Sequence, residues 1–112
     1  MSETTNIDRY AEWAEGLWFA SGSKEFGERD YAIASLGLAG EVGEVMELLK
    51  KRVRDGNFDV EGFTKEMGDV IYYWSRLCLM FGVRPSDVLA ANMRKLEDRR
   101  ARGVMRGSGN DR

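Results

Sequence analysis

Apolar residues recur along this chain at intervals of three and four rather than two, which predicts helices and argues against a sheet. The clearest run is Val60, Phe63, Met67, Val70, Trp74, Leu77 and Phe81. Its 3,4,3,4 alternation suits the seam of a helical bundle and places a helix over about Asp59 to Phe81. Ahead of it, Leu38, Val42, Val45, Leu49 and Val53 mark a helix over roughly Asp30 to Arg54, ended by Gly56-Asn57. A first helix is expected from about Thr5 to Ala20, with Ile7, Tyr10, Ala14, Leu17 and Trp18 at helical spacing. Thr5 and Asp8 resemble a capping box with Asp in place of Glu. Between these two helices, Ser21 to Arg29 reads as a loop because of Gly22 and Gly27. Gly82 stops the third helix, and Pro85 opens a fourth that carries Val88, Leu89, Met93 and Leu96. The remainder, Gly103 to Arg112, is rich in Gly, Ser, Asn and Arg and reads as a tail that is mobile or orders on binding. The fold class expected is all-α, with four helices.

With 112 residues, the chain suits one domain over 1–112, since two separate cores would each be marginal. Hydrophobic residues make up 43% and charged ones 32%, a soluble balance with no apolar run long enough to span a bilayer. The opening residues lack the apolar stretch of a signal peptide, and the single Cys fits a reducing, cytoplasmic setting. A formal net charge of −2 gives no bulk attraction to nucleic acid. Histidine is absent. That removes Ser-His-Asp and Cys-His nucleophiles and every His-bearing zinc or di-iron centre. Any metal must therefore be held by carboxylates, which select hard cations such as Mg²⁺, Mn²⁺ or Ca²⁺.

Two carboxylate pairs stand out. Glu41 and Glu44 lie on the second helix, Glu66 and Asp69 on the third. A spacing of three sets each pair roughly 60° apart on one face. Both pairs border an apolar stripe, whereas Glu47 points to the opposite, solvated side. Two adjoining helices can thus bring four acids together, a repulsive grouping that a divalent cation relieves. An ExxE pair alone is usually a solvated helix face; two pairs on neighbouring helices, in a chain without histidine, favour a metal site. Lys51, two turns beyond Glu44, and the line Asn92, Lys95 and Arg99 on the fourth helix offer the polar and cationic contacts a polyphosphate needs, although an exposed helix face would look the same. Gly37, Gly40 and Gly43 inside a helix each cost ~1 kcal/mol relative to Ala, which calls for a close neighbour, either a packed element or a ligand. Trp13 stands off the apolar stripe and is the candidate to stack on a nucleobase. Cys78 reads as a small core residue.

These residues also form a known pattern. LGLAGEVGEVMELLKK (Leu36 to Lys51) followed by KEMGDVIYYW (Lys65 to Trp74) resembles the MazG family of all-α nucleoside triphosphate pyrophosphohydrolases, marked by ExxE, a gap of about twenty residues, then ExxD. The block from Ala91 to Arg112 resembles the Asn-x-x-Lys-Leu…Arg ending of short, phage-type members. Gly40 departs from the pattern, many relatives having a further Glu there. The resemblance implies a small helical protomer that assembles as a homodimer or homotetramer, burying its seams between chains. It implies Mg²⁺-dependent (Mn²⁺ as substitute) cleavage of a nucleoside triphosphate to monophosphate and pyrophosphate. In that reading Glu41, Glu44, Glu66 and Asp69 hold the metal and Glu41 orients the attacking water. Lys51, Asn92 and Lys95 steady the phosphates, and Arg99, Arg106 and Arg112 close over them.

Other readings stay open at this point. The substrate could be dUTP, dCTP or phosphoribosyl-ATP, or the chain could be a non-catalytic regulator that binds metal or nucleotide. The basic stretch from Arg94 to Arg112 could serve as a nucleic-acid arm, but its interleaved acids and lack of aromatics argue against that.

Overall fold

The computed structural model describes residues 5–18 and 25–104, which form four helices, α1 (Ile7–Glu15), α2 (Glu28–Asp55), α3 (Val60–Met80) and α4 (Pro85–Arg102), with no strand among them. The all-α expectation holds. The expected capping box of α1 does not form. Asn6 is the N-cap, its side chain accepting from the Arg9 N–H at 2.9 Å. Asp8 turns away and accepts hydrogen bonds from the backbone N–H (2.9 Å) and hydroxyl of Ser86, with Arg84 at 3.3 Å. It thereby caps the start of α4, where Pro85 occupies the first turn.

α1 also ends earlier than the expected Ala20. Gly16 caps it, and Trp18 leaves the helix to donate its indole N–H to the Asp30 carboxylate at 2.7 Å. Asp30 lies in the first turn of α2, not at its start, and accepts the Gly27 N–H at 2.9 Å. Gly56 ends α2 with φ +78°, a conformation that glycine adopts without strain. Asp59 caps α3 through the Gly62 N–H at 2.9 Å. Most of the loop expected over Ser21 to Arg29, and the tail from residue 105 onward, lie outside the described residues.

α3 is the hub. α2 packs along one side of it and α1 along another; α4 meets α1 and α3 but does not approach α2 among the described residues. Small side chains let α1 come close: Ala11 and Ala14 are fully buried, and Arg76 of α3, also fully buried, donates to the Ala11 carbonyl. Among the described residues the buried apolar set is small, chiefly Ala11, Ala14, Ala34, Val45, Met80 and Pro85. Of the stripe expected on α2 only Val45 is buried; Val42 and Leu49 are exposed, and Val53 is 88% exposed. On α3, Val60, Met67 and Phe81 of the 3,4,3,4 run are likewise exposed. The radius of gyration is 16.9 Å, against about 13 Å for a compact domain of this length. No helix among the described residues is long and apolar enough to cross a membrane.

Candidate metal centre

α2 and α3 pack side by side, and this register decides where their acids fall. Tyr73 presses against α2 at Gly37, where a Cβ would stand 2.4 Å from a ring carbon. Of the three helix-interior glycines, this one is explained by close packing. Around Gly40 and Gly43 there is open space.

With the helices locked this way, Glu41 of α2 meets Glu66 and Asp69 of α3. One carboxylate oxygen from each lies within 4.8 Å of the others. Glu41 and Glu66 are half-buried and Asp69 is exposed, so the cluster is open on one side. The Glu41 carboxyl is pushed up to about 7, first by a hydrogen bond shared with Glu66, then by burial, then by the negative charges of Asp69, Glu66 and Glu44. Every charge acting on it is negative. Three acids held this close cannot all ionise unless a proton or a cation sits between them. Glu44 adds its charge from one turn away but is exposed and outside the converging triplet. Glu47 faces solvent, 4.0 Å from Lys50.

The other sequence candidates fall elsewhere. Lys51 is exposed on the last turns of α2. Asn92 and Lys95 line a separate cavity of about 390 Å³ with Val83, Asp87, Val88 and Ala91. Arg99, expected on the phosphates, is only 5% exposed and belongs to the packing of α4. Arg100 and Arg102 pair with Glu97 and Asp98 on their own helix, at 2.6 and 2.8 Å, which lessens the basic character of that stretch. Trp13 is 62% exposed, its ring 5.8 Å from that of Tyr10. Arg106 and Arg112 lie outside the described residues.

Three features beside the cluster were not assigned to it from the sequence, where Trp18, Tyr72 and Tyr73 read as core or interface residues. Tyr10 reaches from α1 toward the cluster, its phenol raised by burial and by the nearby Tyr72 and Asp69. Trp18, Tyr72 and Tyr73 form an aromatic group behind it, with ring centroids 5.2 to 6.4 Å apart. Arg76 lies beneath, its Nε and Nη1 without hydrogen-bond partners among the described residues and its pKa lowered by burial. Asp69, Tyr72, Tyr73 and Arg76 follow at helical spacing along one strip of α3. That spacing was the available signal.

A family model described as the MazG nucleotide pyrophosphohydrolase domain matches residues 31–104. The chain is also similar to the Gene 37 protein of Mycobacterium phage L5, 36% identical over 83 residues that cover 70% of this chain and 73% of that protein. No solved structure matches it.

Proposed function

This chain belongs to the MazG nucleotide pyrophosphohydrolase family, and we propose that it hydrolyses a nucleoside triphosphate to the monophosphate and pyrophosphate, with a hard divalent cation held by its own carboxylates. The observation that carries this reading is the convergence of Glu41, Glu66 and Asp69 from two helices, with oxygens within 4.8 Å. Three carboxylates that converge, with only negative charges acting on Glu41, form a donor set that a hard divalent cation would relieve of its repulsion. An all-oxygen set suits Mg²⁺ or Mn²⁺ rather than softer metals. When bound, such a cation would supply positive charge to the phosphate oxygens and acidify a nearby water.

The chain's own residues then divide the work. Glu66 and Asp69 would hold the cation from α3, and Glu44 would add a fourth carboxylate from α2. Glu41, already biased toward holding a proton, orients a water and takes its proton as the water oxygen bonds to the α-phosphorus. The bond from that phosphorus to the departing pyrophosphate breaks in the same displacement. Lys51 and Lys95 neutralise the outer phosphates and Asn92 donates a hydrogen bond to them; Arg106 and Arg112 of the tail close over them, and Trp13 offers its exposed face to the base. Arg99 contributes by holding α4. Such a reaction removes surplus or non-standard nucleotides from a pool.

The protomer acts within a homo-oligomer in this reading. Its support is the open shape and the exposure of large apolar side chains such as Leu36 (73%), Met93 (67%) and Val53 (88%), more than a monomer usually leaves bare. The deciding experiment is Mg²⁺-dependent pyrophosphate release across a panel of canonical and modified nucleotides. Glu66→Gln and Asp69→Asn are expected to retain wild-type helicity and lose turnover by about 100-fold or more. Full activity in either variant removes the carboxylate centre from the reaction.

A further inference from the structure

A buried arginine with unmet hydrogen bonds calls for a reason. Arg76 of α3 is 0% exposed and donates through Nη2 to the Ala11 carbonyl, while Nε and Nη1 meet no acceptor among the described residues. Folded chains leave few buried donors unmet, so two on one guanidinium point to an acceptor that arrives from outside. Asp69 and Arg76 stand seven residues apart on one strip of α3, roughly 10 Å along the helix. An extended nucleotide spans a similar length from its α-phosphate to the far edge of its base. Tyr10 of α1 lies in this interval. Its phenol, raised by burial and by Tyr72 and Asp69 and lowered by Arg76, has both charges as neighbours. Its ring lies beside that of Trp13, centroids 5.8 Å apart. A planar ring with a polar edge thus already fills the place between the acids and the guanidinium. It can leave that place. Ala11 and Ala14, both buried, hold α1 on α3, whereas Tyr10 is only half-buried. Its ring can therefore turn to an outward rotamer without parting the helices.

We propose that the base of the substrate takes the place of the Tyr10 ring, against Trp13, with a ring carbonyl accepting from Arg76, so that keto bases (uracil, thymine, guanine, hypoxanthine) are chosen over the amino bases cytosine and adenine. This rests on the hydrolase reading above and names its substrate class. A guanidinium only donates; it has no acceptor. A carbonyl oxygen satisfies it, whereas an exocyclic amino group sets donor against donor and leaves both buried groups unmet. A site built around a hydrogen bond rejects the ligand that lacks it far more strongly than an apolar pocket rejects a missing methylene. Selectivity then offsets the cost of keeping an incompletely paired charge between α1 and α3.

Matched nucleotides test it. dUTP against dCTP, and dITP against dATP, differ at the group that would meet Arg76. Pyrophosphate release by the wild type is expected to favour the keto member of each pair by at least about tenfold in kcat/KM. Arg76→Met should keep wild-type helicity and bring both ratios close to one, chiefly through loss of activity on the keto member. Equal use of the members of each pair by the wild type, or ratios unchanged in Arg76→Met, overturns the inference. Pyrophosphate release itself, and with it the proposed function, would still stand. A second measurement needs neither a variant nor turnover. The NMR signal of the Arg76 Nε–H is followed as α,β-methylene dUTP or α,β-methylene dCTP is added with Mg²⁺. The keto analogue is expected to shift the signal and the amino analogue to leave it in place. A signal that saturating keto analogue does not move, or that both analogues move alike, overturns the inference even where Arg76→Met fails to fold. The selective shift in a protein that releases no pyrophosphate keeps the base site and sinks the hydrolase reading instead.

Discussion

Between its ordinary value of 4.5 and about 7, the Glu41 carboxyl holds a proton in the folded chain that it has released in the unfolded one. The folded state therefore binds more protons across that window, and stability without metal falls as pH rises through it. The thermal midpoint of the metal-free protein should be higher at pH 5.5 than at pH 8 (both within or just beyond that window), with the difference reduced by Mg²⁺. A midpoint rising with pH would contradict the crowding of acids described. Metal must displace the same proton, so apparent Mg²⁺ affinity should drop by about tenfold per pH unit below 7, which titration calorimetry would register. Arg76 presents the opposite problem, a buried cation with two nitrogens lacking partners among the described residues. Burying a charge that is incompletely paired costs several kcal/mol, roughly, which an apolar side chain of similar volume avoids. Arg76→Met should accordingly raise the thermal midpoint, and a fall of several degrees would show that the guanidinium is better satisfied than its geometry indicates.

Helix by helix, the register of α2 on α3 depends on Tyr73 lying where Gly37 has no side chain. Gly37→Ala gains ~1 kcal/mol of helix propensity but forces the ring aside, an overpacking cost of about 1–3 kcal/mol. Net destabilisation is expected, together with weaker Mg²⁺ binding as Glu41 shifts against Glu66. Gly40→Ala meets nothing in the protomer and should leave protomer stability unchanged or improved; equal losses in both variants would refute the register argument. How much of this could be read beforehand varies by element. The two carboxylate pairs were legible because a spacing of three fixes their shared face whatever the helices do in detail. α3 and α4 were legible from Asp59, Gly82 and Pro85, whose capping preferences are local. The end of α1 was not, since Trp18 leaves the helix for a carboxylate twelve residues away. Asp8 likewise found its partners in Ser86 and Arg84 rather than nearby. Periodicity located α3, but Val60, Met67 and Phe81 of its stripe are exposed, since periodicity cannot say whether anything covers a given side.

At the scale of the whole molecule, the protomer has a small buried centre and a long α2 that, among the described helices, packs only against α3. Local opening is cheapest where few apolar contacts hold an element, and α2 meets that description along its outer side. Its amides, Gly40 and Gly43 included, should take up deuterium faster at high dilution than those of α1 and the middle of α3 around Ala11, Ala14 and Ser75. Raising the protein concentration should slow uptake in α2 and leave the other segment unchanged. Uptake in α2 that ignores concentration would mean nothing docks there. The same property gives this helix a second role, as a gauge whose isotope labelling reports how many molecules have found one another.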